Sequence, residues 1–329
     1  CQELKREFKC DFRRSHEILP GCIVWSEENE EIKMSELVAQ DYASVADIPL
    51  EDIDVSRADL FQSDTHWEYF ARLRKEAPVH YCKDSLFGPY WSLTRFNDIM
   101  AMEKNFQDFS SDSGIVLGDR PADFETANFI GMDPPKHDAQ RKTVQGVVAP
   151  MNLAKLEGTI RSRAETILDS LPIGKTFNWV DLVSVELTTQ MLATIFDFPF
   201  AERHKLTYWS DMATSGELGG GPTPEPVRRA ALLECLEYFT KLREERLKNP
   251  GGDLVSMLAH GKDTKDLSPM NYLGNLLLLI VGGNDTTRNT MSASIYSLNK
   301  FPGSSVNNQF SINFILFSFA FISTYFIST

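Results

Sequence analysis

A long apolar run stops abruptly at Gly282-Gly283-Asn284-Asp285-Thr286-Thr287-Arg288-Asn289-Thr290, and this junction constrains the chain more than any other feature. Residues 276–281 are four leucines, an isoleucine and a valine, a segment built for burial. Two glycines inside a helix cost roughly 1 kcal/mol each relative to alanine. A buried acid must find a partner or neutralise. Close approach of the backbone to a bulky flat ligand, with an acid–alcohol pair beside it, would offset both costs. The competing reading is a buried helix whose small residues let another helix cross.

The helix carrying this block can be bounded. Ser268 reads as its N-cap and Pro269 as its first residue. The pattern runs through Tyr272, Leu276, Leu279, Ile280 and Met291 to about Leu298, and Phe301-Pro302 ends it. At 1.5 Å per residue this is a rod of about 45 Å. Its uninterrupted apolar part falls well short of the ~20 residues of a membrane span. Leu278, Val281, Gly282, Asp285 and Thr286 share one face by the three-and-four spacing. Thr286 lies four residues after Gly282, so its hydroxyl is expected to bond that glycine's carbonyl and open the helix locally.

Composition narrows the function classes. A chain of 329 residues, 42% hydrophobic, can bury a large core as one or two domains. The net charge of -13 argues against nucleic-acid binding, which leans on clustered Lys and Arg. Five cysteines, an odd number without CxxC spacing, suggest neither a disulfide scaffold nor a zinc site. The charged start lacks a signal-peptide apolar region, so a cytoplasmic protein is expected. Residues 1–33, ahead of Met34, read as an extension of separate origin. Residues 303–329 carry no charge and read as a tail foreign to the fold.

Between these ends the pattern predicts a mainly α fold with a small β element near the N-terminus. Leu60-Phe61 and 67–73 predict an amphipathic helix ending near Pro78. Residues 79–82 and 90–93 are strand-like, with Phe87-Gly88-Pro89 as the turn. A short helix follows around Phe96, and a long polar loop runs from 110 to 128 with Ile115, Val116 and Leu117 as an apolar island. Helical spacing then covers 153–171, 180–196, 203–212, 228–247 and 253–258. Residues 216–224, rich in glycine and proline, suit a lid. Pro134-Pro135 sets a helix start where His137 and Arg141 lie one turn apart, a spacing that could clamp a carboxylate. Taken alone, the pair is better explained as a solvated basic face at a helix start.

Together, the His-x-x-x-Arg pair and the Gly-Gly-x-Asp-Thr-Thr block resemble the cytochrome P-450 family of haem-thiolate monooxygenases. The resemblance covers about 34–302, the first two thirds of such a protein, with the C-terminal third missing. Within the family the chain looks closest to soluble bacterial terminal alkane hydroxylases, through Phe87-Gly88-Pro89-Tyr90-Trp91-Ser92, residues 132–144 and residues 279–291. It implies haem b, with His137 and Arg141 on the propionates and Gly282 and Gly283 letting the helix pass over the haem and leaving room for dioxygen. It also implies that Asp285 and Thr286 relay protons to dioxygen. Ile115, Leu117, Phe129, Leu278 and Val281 would line an apolar pocket for a medium-chain alkane or related aliphatic substrate. Electrons would come from a ferredoxin and its reductase.

The chain departs from the family pattern in lacking the Glu-x-x-Arg helix and the Phe-x-x-Gly loop that bears the iron-ligating cysteine. Cys82 and Cys235 sit in strand-like and helical segments, so no metal ligand is assigned, and the chain alone is expected to be inactive. Two alternatives stay open: a fatty-acid or steroid hydroxylase of the same family, and a non-catalytic helical protein that binds apolar ligands.

Overall fold

The computed structural model describes residues 44–112, 114–118, 121–216 and 221–300. The expectations for 1–33 and 303–329 lie outside these residues, as do positions 217–220 of the lid segment.

Short 3-10 turns at Val45–Asp47 and Leu50–Asp52 lead into helices α1 (Ala58–Gln62) and α2 (His66–Glu76). The single helix expected here is broken at Asp64, which takes the left-handed backbone at φ 58°. Its carboxylate accepts the Trp67 indole N–H at 2.7 Å, a local bond that favours the turn over a continuous helix. Strands β1 (Val79–Cys82) and β2 (Tyr90–Leu93) then pair antiparallel, with Tyr81 opposite Trp91. Gly88 turns the hairpin at φ 83°, a conformation that excludes most side chains. His80 and Cys82 point inward, while Val79 and Tyr81 face out.

The rest is helical: α3 (Phe96–Glu103), α4 (Lys136–Gln145), α5 (Pro150–Asp169), α6 (Glu186–Ile195), α7 (His204–Thr214), α8 (Glu225–Lys248), α9 (Leu254–His260) and α10 (Pro269–Lys300). The segment before α6, Val180–Val185, is a π-helical turn that helical spacing alone does not reveal. The Thr188 hydroxyl bonds the Ser184 and Val185 carbonyls that this turn displaces.

Helix α10 is the spine. It starts at Pro269 as the sequence predicts, with Ser268 Oγ accepting from Asn271 N, and its 32 residues span about 48 Å. It packs against α7, the π turn, α6 and α8. Leu273, Leu276 and Ile280 join Leu206 and Trp209 of α7 and Leu232 and Phe239 of α8 in the main core. Met291 joins a second core with Ile160 and Ile167 of α5 and Leu187 and Met191 of α6. No helix among the described residues is long and apolar enough to cross a membrane.

One buried polar clamp fixes the spine to the front of the molecule. Asn275 is fully buried; its Oδ1 accepts from Phe129 N at 2.9 Å and its Nδ2 donates to Gln140 Oε1 at 2.9 Å. The clamp therefore ties α10 to the 3-10 turn Phe129–Gly131 and to α4. The neighbouring Gly274 lets the chain pass, because a methyl there would run into the Ala127 carbonyl. Alanine normally gains roughly 1 kcal/mol over glycine inside a helix. Here the crossing reverses the sign, and Gly274→Ala is expected to lose about 1–3 kcal/mol in urea unfolding. A variant as stable as the parent would show that the crossing is loose.

Candidate functional site

The Gly-Gly-Asn-Asp-Thr-Thr block falls in the middle of α10, and the helix presents two unlike faces there. Ile280, Asn284, Thr287, Arg288 and Met291 are buried against neighbouring helices. Leu278, Val281, Gly282, Asp285 and Thr286 share the next face round and are only partly covered, with Leu278 against the edge of the main core and Asp285 reaching Ser210 of α7. The sequence therefore places its candidate residues on one open stripe, apolar at one end and carrying an acid and an alcohol at the other.

Thr286 Oγ donates to the Gly282 carbonyl at 2.7 Å, the bond expected from the spacing. The expected local opening is absent, since α10 is an unbroken α-helix from Pro269 to Lys300. The hydroxyl adds a second bond to a carbonyl with two lone pairs, without displacing the helical one. Gly283 serves packing: a methyl there would sit 2.7 Å from Leu192 Cδ2 of α6.

Asp285 finds the partners that a buried acid requires. Its Oδ1 accepts from Ser210 Oγ of α7 at 3.0 Å, from Asn284 Nδ2 at 3.2 Å and from Arg288 Nη2 at 3.0 Å. Arg288 also reaches Asp211 of α7, with Nη1 at 3.2 Å from Asp211 Oδ1. One guanidinium thus serves two carboxylates. Burial pushes both carboxyls above the ordinary aspartate range, outweighing the attraction of Arg288. Such groups bind and release protons closer to neutral pH than exposed aspartates do.

On α4, His137 and Arg141 stand one turn apart, as predicted. His137 Nδ1 bonds the Phe129 carbonyl at 2.8 Å, which leaves Nε2 without a partner among the described residues. No described residue takes the Arg141 guanidinium in a hydrogen bond or ion pair. An imidazole held by one nitrogen and a free guanidinium suit an acidic ligand group.

The expected pocket residues are not gathered in one place. Leu278 and Val281 lie on the α10 stripe, whereas Ile115 and Leu117 are 54% and 47% exposed on the long loop. Phe129 is a core residue, 5% exposed, its ring edge-on to His137 at 6.3 Å. The loop itself is pinned at both ends. Ser110 and Ser111 bond the Asp133 carboxylate, and Asp123 pairs with Arg229 of α8.

Sequence reasoning misses Ser210, Asp211 and the roles of Asn284 and Arg288. The Asp285–Arg288 spacing of three is a usable signal for an intrahelical pair. The α7 partners are not readable, since only tertiary packing brings them to α10.

No family model matches the chain. It is 30% identical over 266 residues to linalool 8-monooxygenase of Pseudomonas putida, an alignment covering 77% of this chain and 65% of that protein. The structure matches cytochrome P450-153 from Novosphingobium aromaticivorans with a TM-score of 0.68 at 41% identity, covering 76% of this chain and 64% of the other. It matches CYP153D17 from Sphingomonas sp. equally well, with a TM-score of 0.68 at 45% identity over the same shares. The chain is similar to cytochrome P450s in sequence, and its fold is that of the cytochrome P450 family. It spans slightly under two thirds of the length of these relatives.

Haem b is the cofactor of this family. The open stripe of α10 fits a flat macrocycle, and the free groups on α4 fit its carboxylates. The described cysteines do not fit its iron. Cys82 is 2% exposed, and its thiol is pushed up chiefly by burial. Cys235 is fully buried in the main core, and burial pushes its thiol up as well. A thiolate ligand needs the opposite surroundings. Neither Cys82 nor Cys235 is therefore expected to give a thiolate-type Soret band when the chain is supplied with haem and reduced under carbon monoxide. A thiolate-type band that disappears in Cys82→Ser or Cys235→Ser would contradict this placement.

Proposed function

We propose that the intact protein is a haem-dependent monooxygenase that hydroxylates the terminal carbon of medium-chain alkanes or related aliphatic chains. Dioxygen is the oxidant, and a ferredoxin with its reductase supplies the electrons. The observation that carries this reading is the open stripe of α10, with Asp285 and the Thr286 hydroxyl beside apolar Leu278 and Val281. Likeness to two family-153 structures at 41% and 45% identity supports the aliphatic substrate class.

Haem, when bound, supplies the oxygen chemistry. His137 and Arg141 would hold its propionates, through the Nε2 and the guanidinium that no described residue engages. Gly282, on the partly covered stripe, would let the ring lie close to α10, whereas Gly283 packs against Leu192 of α6. Leu278 and Val281 would exclude water and accept an alkyl chain. Asp285 takes up a proton from solvent, and Thr286 passes one on through its hydroxyl. An acid whose affinity for protons is raised by burial is better suited to that exchange than an exposed aspartate.

In the intact protein, Thr286→Ala is expected to keep haem and substrate binding, because neither uses the hydroxyl. Electrons should be diverted to hydrogen peroxide, and the alcohol formed per NADH or NADPH should fall steeply. Loss of a proton-transfer step is typically worth about 10²–10⁴ in rate. If Thr286→Ala couples electrons to product as well as the parent does, this threonine is a packing residue.

A further inference from the structure

The two oxygens of the Asp285 carboxylate are treated unequally. Oδ1 accepts all three contacts, from Ser210, Asn284 and Arg288, whereas no described residue donates to Oδ2. Asn284 is the unusual member. It is fully buried at a helix position where a core would take an apolar side chain. Its own amide is held from the other side, because the Thr188 hydroxyl of α6 bonds Asn284 Oδ1 at 3.1 Å. Thr188 is fully buried in turn and is anchored on the carbonyls of the π turn. The Thr188 hydroxyl carries one proton, shared between these carbonyls and Asn284 Oδ1, and Asn284 in turn donates from Nδ2 to one oxygen of Asp285.

We propose that Asn284 is a positioning residue: locked by Thr188, it fixes Oδ1 as the accepting oxygen and leaves Oδ2 as the atom that carries the proton. The proposal rests on the reading of Asp285 as a relay. The carboxyl gains a proton at Oδ2 and later gives that proton up, so no other atom or electron changes hands. The charged and titratable groups facing Asp285 are few. Arg288 lies on its own helix and Asp211 on α7, next to Ser210. From α6 the uncharged Thr188 reaches the cluster, while Glu186 is turned to Arg203 and His204. Burial raises the proton affinity of Asp285, which makes the occupancy of Oδ2 responsive to small changes around Oδ1.

The test follows the Asp285 titration in the full chain by carboxyl 13C NMR, with the signal assigned by its loss in Asp285→Asn. Asn284→Leu removes one donor to the charged form. A hydrogen bond to a charged group contributes about 1.5–3 kcal/mol, so the midpoint should rise by about one unit or more. Thr188→Val, which frees the Asn284 amide, should move it the same way by less, and it carries the test if Asn284→Leu does not fold. Thr189→Val is the control. That hydroxyl, on the same helix and equally buried, bonds Thr207 and lies outside these contacts. Its loss should cost stability without moving the midpoint. An unmoved midpoint in Asn284→Leu and Thr188→Val, or an equal shift in Thr189→Val, overturns the positioning role. A shifted midpoint together with normal coupling in Thr286→Ala overturns the relay reading on which it rests.

Discussion

A helix of 32 residues can run through a core only if every polar group it carries inward finds a partner there. In this protein that condition shapes everything around α10. Asn275 is satisfied by Phe129 and Gln140, Asn284 by Thr188, Ser292 by Ser184, and Arg288 by Asp211 and Asp285. These bonds reach several different elements, so the helix acts as a rail on which α4, α6, α7 and the π turn are registered. Breaking one partner leaves the other buried and unpaired, which costs more than the bond contributes. The arrangement is therefore rigid where the chemistry would need fixed geometry.

The same condition explains why the next face of α10 can be open. With Asn275, Asn284, Ser292 and the two Nη atoms of Arg288 partnered, that face carries glycine, an acid and an alcohol on a partly covered surface. Asp285 stands at the boundary between the two. One of its oxygens belongs to the buried network and the other does not. Arg288 bridging two carboxylates keeps the local charge near balance without fully offsetting burial, and both acids hold their protons more tightly than usual. The helix thus joins a stability requirement to a proton-handling one at a single residue.

Much of this is legible in the sequence where a local rule decides the outcome. Ser268-Pro269 marks the start of α10, Gly88 marks the hairpin, and the Gly282–Thr286 spacing implies the hydroxyl–carbonyl bond. What is not legible depends on distant segments or on single backbone torsions. The break at Asp64 hides inside a good helical pattern, and the π turn keeps the apolar spacing of an ordinary helix. Asn275 resembles any polar residue at the start of a helix until Phe129, 146 positions earlier, is seen to donate to it. An aromatic residue near the long loop reads as pocket lining, but burial of Phe129 against α10 makes it core. The resemblance to the family supplies the roles of His137 and Arg141, which spacing alone leaves as a basic helix start.

Central to the proposed chemistry is that the open stripe of α10 and the free groups of α4 face the haem together. Hydrogen exchange of the full chain, measured with and without haem, tests this directly, since a bound ligand slows opening of the segments it touches. Added protection is expected to concentrate at 137–141 and at 278–286, with α8 and α9 little changed. Haem binding that protects other segments and leaves both of these exchanging as before would contradict it.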